Sequence, residues 1–394
     1  MTVTESEQSF AARPPGSVWR GEPFRIFFPL GVVLGWIGIG HWLLYTTGWS
    51  TTYSCMGHGF VQMQAFMMAF AVGFLLTALP RRTRSAAPSH IEMALFAGAL
   101  VWTTAAAITE RWLAAQAAYA FVFLLLLQFA VRRFARAGRR PPASFVLIPF
   151  ALVHGIGGAA LIALSTVGDA PVWMLGLGRR MVEQGVFLCF VVGIGSLFLP
   201  LVAGMPPPAD LGSSPRERWK AVGYFAAGIG IFLSLLVEEL GGVRSGPLLR
   251  AAIVAIALGY GAGAVRGPRK PGFHRRLIWL AVWLIPVGLV LSAIAPDYRV
   301  PALHVVFVGG FSLMAFAVAT HVSLGHLGFE DLAAGRPPAI VAVAVAILVA
   351  LAARVVADFT DSYFEHLGWA AAAWLVGSSI WLGFLGPKLL RRSR

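Results

Sequence analysis

The chain has 394 residues, of which 58% are hydrophobic and only 12% charged, and it carries a net charge of +14. A soluble domain averages about 25% charged residues, so this chain cannot cover a water-facing surface, and lipid must solvate most of it. The excess of base is no nucleic-acid footprint, because the Lys and Arg residues fall in short loops between apolar runs, the pattern that orients membrane proteins.

Residues 1–22 are polar, contain Pro and Gly, and are expected to form a disordered cytoplasmic tail. The first apolar run begins at Phe24 and is far longer than a signal h-region, so no cleavable signal peptide is expected. A crossing helix takes roughly 20 mostly apolar residues. The runs are continuous rather than alternating, which favours helices over a barrel. Spans are expected at 24–47, 56–79, 91–109, 112–131, 143–166 and 181–203. A linker rich in Pro, Gly and Ser follows at 204–219. Further spans are expected at 220–240, 248–265, 275–295, 301–323, 338–357 and 367–387. The predicted architecture is an all-α polytopic membrane protein of about twelve transmembrane helices. Its N-terminal six-helix membrane half is 23–203 and its C-terminal half is 220–390.

Orientation follows from the loops. Arg81, Arg82 and Arg84 follow the second span, Arg132, Arg133, Arg136, Arg139 and Arg140 the fourth, and Arg216, Arg218 and Lys220 the sixth. Arg266, Arg269, Lys270, Arg275 and Arg276 follow the eighth, and Lys388, Arg391, Arg392 and Arg394 close the chain. The alternate gaps carry Asp169, Glu238, Glu239, Asp297, Asp358, Asp361 and Glu365. Such alternation predicts both termini on the cytoplasmic side.

The two cysteines, Cys55 and Cys189, exclude a disulfide framework and an all-cysteine metal site. No nucleotide loop, catalytic triad or HExxH motif occurs. The chemistry therefore rests on histidine, a good metal ligand and a rare guest in hydrocarbon. His41, His58, His304 and His366 are expected near the outer side, His154 near mid-membrane, and His321 and His326 at the inner end of the tenth span. His90 and His274 read as solvated loop-edge residues. His58 and His304, with His41 as a third partner, are the candidates to converge on one metal or haem, since neutral imidazole ligates both iron and copper. The bland alternative is that each sits at headgroup level, bonded to water or a neighbouring helix. On a straight helix, His304 and His326 share one face about 33 Å apart, too far for one metal but suited to separate cofactors at the two membrane faces. Arg354 and Asp358 should pair four residues apart. Glu183, Glu238 and Glu239 read as solvated caps, and Met63, Met67 and Met68 as packing residues.

Several of these residues fall in segments with a familiar look. The stretch PFRIFFPLG at 23–31, GHGFVQMQAFMMAFAVGFLLTALPRRT at 57–83, HVVFVGGFSLMAFAVATHVSLGHLG at 304–328 and the final AAAAWLVGSSIWLGFLGPKLLR resemble the NnrS family. Its members are bacterial inner-membrane proteins of the nitric oxide response, described as containing haem and copper. The resemblance implies a b-type haem, a diatomic gas as ligand, and ligand roles for His58, His304 and His326. It departs where the family's second-span motif has a second His and a Glu: Phe60 and Val61 stand there, a loss that bears on copper above all. His321, Leu197 and Phe329 stand where the family has arginine. Besides the lipid bilayer, other membrane subunits are candidate partners. Two other classes stay open: a cofactor-free structural or assembly subunit of a larger membrane complex, and a transporter, which calls for broken helices and buried charge at the midplane.

Overall fold

The computed structural model describes residues 18–137 and 140–391; most of the expected tail, together with Arg139, Arg392 and Arg394, lies outside the described residues. Among the described residues, eleven helices are long and apolar enough to cross a bilayer. They are α1 (Phe24–Thr46), α2 (Cys55–Thr83), α3 (His90–Ile108), α4 (Trp112–Phe134), α5 (Ala143–Ser165), α6 (Val172–Val202), α7 (Pro215–Glu239), α9 (Phe273–Ile294), α10 (Pro296–His326), α11 (Pro338–Ala357) and α12 (Tyr363–Leu390). The expected eighth span is the shorter α8 (Ser245–Gly261). It still runs from one face of the bundle to the other: Arg250 near its start bonds Glu238 at the end of α7, and Gly263 just past its end lies against Met205 of the linker.

Helix ends follow sequence signals. Ser89 and Glu92 close a capping box at α3, and Ser214 caps α7 with Pro215 in its first turn. The sixth helix begins at Val172 rather than 181, and the charges of its first turns, Arg179, Arg180 and Glu183, are all paired. Arg179 meets Glu183 four residues on at 3.0 Å, and Arg180 binds Glu239. Buried tryptophans bind α12 to its neighbours, each apolar ring spending its N–H on a small hydroxyl. Trp36 of α1 donates to Ser378 at 2.8 Å, Trp374 to Ser312 of α10 at 3.0 Å, and Trp381 to Thr320 of α10 at 3.0 Å.

The basic loops are bonded into one face. Arg25 of α1 donates to the carbonyls of Leu389 and Arg391 at 2.7 and 2.5 Å, joining the first and last helices. Arg82 binds Asp210 of the linker, whose Leu211 N–H donates to Pro141 O at 2.9 Å. Arg275 donates to Val202 O at 2.8 Å. The opposite face carries an aromatic group, with Tyr45, Tyr53 and Phe364 at ring separations of 4.7–5.6 Å, and Tyr298 stacked on Phe359. Aromatic rings of this kind concentrate at membrane–water interfaces.

Candidate functional site

His58 lies on the first turns of α2, at the face opposite the basic loops. Ser54 caps this helix by accepting from Gly57 N at 3.1 Å. The His58 ring reaches α1, where its Nδ1 bonds the Gly38 carbonyl at 2.8 Å. Gln62, one turn on, donates to the Gly35 carbonyl at 2.8 Å. Glycine at 38 makes this approach feasible: a Cβ there would stand 2.7 Å from Gln62 Nε2 and from Val61 Cγ1. Immediately after, α2 widens into a π-helical segment, Val61–Met67.

His304 repeats the arrangement on α10. Its Nδ1 bonds the carbonyl of Val300, one turn earlier, at 2.8 Å. A π-helical segment, Val305–Ser312, follows directly. Gly288 of α9 lets the two backbones touch here, since a Cβ would meet Ala302 O and Val306 N at 2.9 Å. Helices widen in this way most often at functional positions. The π segment also interrupts the straight-helix register, so the expected common face of His304 and His326 does not carry across it.

His58 and His304 lie within electrostatic reach of each other, and each lies within reach of Arg354 on α11. Each ring commits Nδ1–H to a backbone carbonyl, which leaves its Nε2 lone pair free; neither Nε2 makes a hydrogen bond among the described residues. Ligating imidazoles are held in this manner, with the distal N–H on a carbonyl fixing tautomer and orientation. His41 stands beside the pair, its ring 6.0 Å from that of His58 and its Nε2 buried without a partner. Arg354 pairs with Asp358 as the spacing predicted, but its position beside the two histidines was not foreseen. That proximity comes from the packing of α11 on α10, which no local pattern encodes.

The histidines at the basic-loop face are used differently. His326 accepts a hydrogen bond from Arg81, whose Nη1 stands 2.9 Å from Nε2, and lies 3.8 Å from Glu22 and 5.3 Å from the Phe24 ring. Burial works to raise the Glu22 carboxyl, but hydrogen bonds and charges from His326 and Arg25 outweigh it and hold the group below the usual carboxylate range. His321 bonds His274 across 3.0 Å, Nδ1 to Nε2. His274 is therefore buried, not the solvated residue expected, because α9 and α10 enclose it. His90 is exposed as expected.

His154 is fully buried on α5, against Gly185 and 5.9 Å from Phe232, and neither ring nitrogen has a partner. Gln184 and the Tyr119 hydroxyl are likewise buried without partners. Glu238 also departs from expectation. It is 2% exposed and holds Arg250, Arg299 at 2.8 Å and Arg180 at 3.3 Å, with Arg250 itself fully buried. A solvated cap was expected because the sequence cannot place three arginines from α6, α8 and α10 around one carboxylate.

Fold and side-chain placement together define a polytopic α-helical membrane protein with an oriented histidine pair at one face. The family model described as NnrS protein matches residues 18–393, nearly the whole chain, and the chain belongs to the NnrS family. No match is found among curated proteins.

Proposed function

We propose that this protein binds a b-type haem between His58 and His304 and acts in the bacterial response to nitric oxide or in related redox chemistry. The observation that carries this reading is the matched pair of imidazoles, each with Nδ1 held by a carbonyl and Nε2 free. His58 and His304 would each offer one Nε2 to a haem iron, whose remaining donors come from the porphyrin, so the residues fit. They do not fit copper. The described residues contain no group of three or more His, Cys, Asp or Glu that could hold a metal ion, and the motif positions at 60 and 61 are Phe and Val. When bound, the haem would supply an iron at which a diatomic gas could coordinate in exchange for one of the two imidazoles. This chain's own contribution is orientation: α1 fixes His58 through Gly38, and the turn of α10 fixes His304 through Val300. Arg354 adds a positive charge beside both rings.

The distribution of base supports twelve crossings with both termini in the cytoplasm of a bacterial inner membrane, which puts the histidine pair beneath the outer surface. Cysteine labelling from each side tests this. A probe that cannot cross the membrane should reach residues near Ser50 from outside and residues near Arg84 only from inside.

The function is tested by purifying the protein and measuring its iron content and absorption spectrum. A Soret band that disappears in His58→Ala and in His304→Ala supports the proposal. A pure, folded protein without iron, or a band that both variants retain, overturns it.

A further inference from the structure

A cavity of about 130 Å³, partly open at its rim, lies between α1, α2, α6, α9 and α10. Every residue lining it is apolar. Phenylalanines dominate the wall, and small residues such as Ala71, Ala315 and Ala319 face them and leave the space unfilled. Water is a poor occupant, because it needs two or more polar partners and the wall offers none. An engineered apolar cavity of about 150 Å³ stays dry and takes up xenon or benzene, so a space of this size and lining suits the same kind of guest.

The cavity's position gives it a direction. Its outer end is formed by Met67, Phe187 and Phe311. Phe311 is 6.2 Å from Phe307, and Phe307 is 6.2 Å from the His304 ring. Along α10 that is about two helical turns from the cavity wall to the imidazole. We propose that this Phe-lined cavity binds a small uncharged apolar molecule, of diatomic-gas size, and holds it next to the histidine pair. Such molecules partition into the bilayer core, and the walls facing the cavity offer them no polar barrier. The use of the guest at the histidines rests on the haem reading; the binding itself does not.

The test is xenon. Crystals of the full-length protein, pressurised with xenon, should show anomalous density inside the cavity. Ala319→Phe, which places a ring in the space, should abolish that density. Should this variant fail to fold, Phe198→Ala enlarges the same cavity and should raise xenon occupancy there. Absence of xenon in the wild type, density for a lipid chain in its place, or a peak unchanged by both substitutions overturns the proposal. Xenon in the cavity of a protein without a Soret band leaves this proposal standing and removes the haem. A Soret band with an empty cavity does the reverse.

Discussion

The two faces of the bundle use the same side chain in opposite ways. At one face His58 and His304 each give Nδ1 to a carbonyl and keep Nε2 free, with no carboxylate among their hydrogen-bond partners. At the other, His326 is engaged by Arg81 and Glu22, and His321 by His274. His304 and His326 sit at the two ends of one helix, in one motif, with similar helical environments. What separates a prospective ligand from a structural histidine is the partner its ring finds: a bare backbone carbonyl, from α1 for His58 and from the preceding turn of α10 for His304, against a guanidinium and a second imidazole for His326 and His321. A ligand needs a free lone pair and a fixed ring, and only the first arrangement provides both.

The sharpest way to break this contrast is to remove imidazoles from each face in turn. His58→Ala and His304→Ala should lose the Soret band altogether, whereas His326→Ala and His321→Ala should keep it; absorption spectra of the four purified variants decide. If the band follows the inner pair, the assignment of roles is inverted.

A smaller but still large effect is expected from the charge cluster of Glu238 and its arginines, at the face opposite the basic loops. Glu238→Ala strips the shared partner from the fully buried Arg250 and should cost about 3–5 kcal/mol, the usual penalty for leaving a buried charge uncompensated. Replacing Glu238 and Arg250 together by apolar residues should recover much of it. Thermal unfolding in detergent measures both, and a double variant no better than the single would show that the cluster is more than a compensated pair.

At the basic-loop face the corresponding network is more exposed, and its effect should be modest and dependent on pH. The native Glu22 carboxyl titrates below its unfolded value, so its contribution is fully present above the ordinary carboxylate pKa and is lost as pH falls through the lower native one. Wild type should therefore melt above Glu22→Gln at pH 7, with the gap closing in acid. A gap that stays constant down to pH 3 would exclude ionic stabilisation by this residue.

The smallest effect is expected at mid-membrane. His154 has free nitrogens but no carbonyl to orient its ring, so freedom alone should not make it a ligand. His154→Leu should keep the Soret band. It should also leave stability unchanged or raised by about 1 kcal/mol, since an unpartnered buried polar group is removed. Loss of the band in this variant would mean that ring orientation is a weaker criterion than argued above.

Much of the fold was readable along the chain because each crossing writes its own signal: apolar length, flanking base and caps are local properties, and lipid leaves the backbone few ways to satisfy itself. Even the misplaced start of α6 had a local cause, charges at 179 and 180 whose partners lie partly on α7. The short α8 was legible as an apolar run and expected as the eighth span, while its shortness relative to the other crossings was not.

The sequence by itself determined that this is a helical membrane protein, roughly where its crossings lie, and which side chains have the chemistry to hold iron. Only the tertiary structure decided which histidines keep a free nitrogen, that Arg354 stands beside two of them, that Glu238 and His274 are buried, and that an apolar cavity lies below the pair. The physical reason is the range of the interactions. Hydrophobic length and loop charge act within one helix and its ends, whereas most partners of the ring nitrogens come from another helix, as Gly38 does for His58 and His274 for His321.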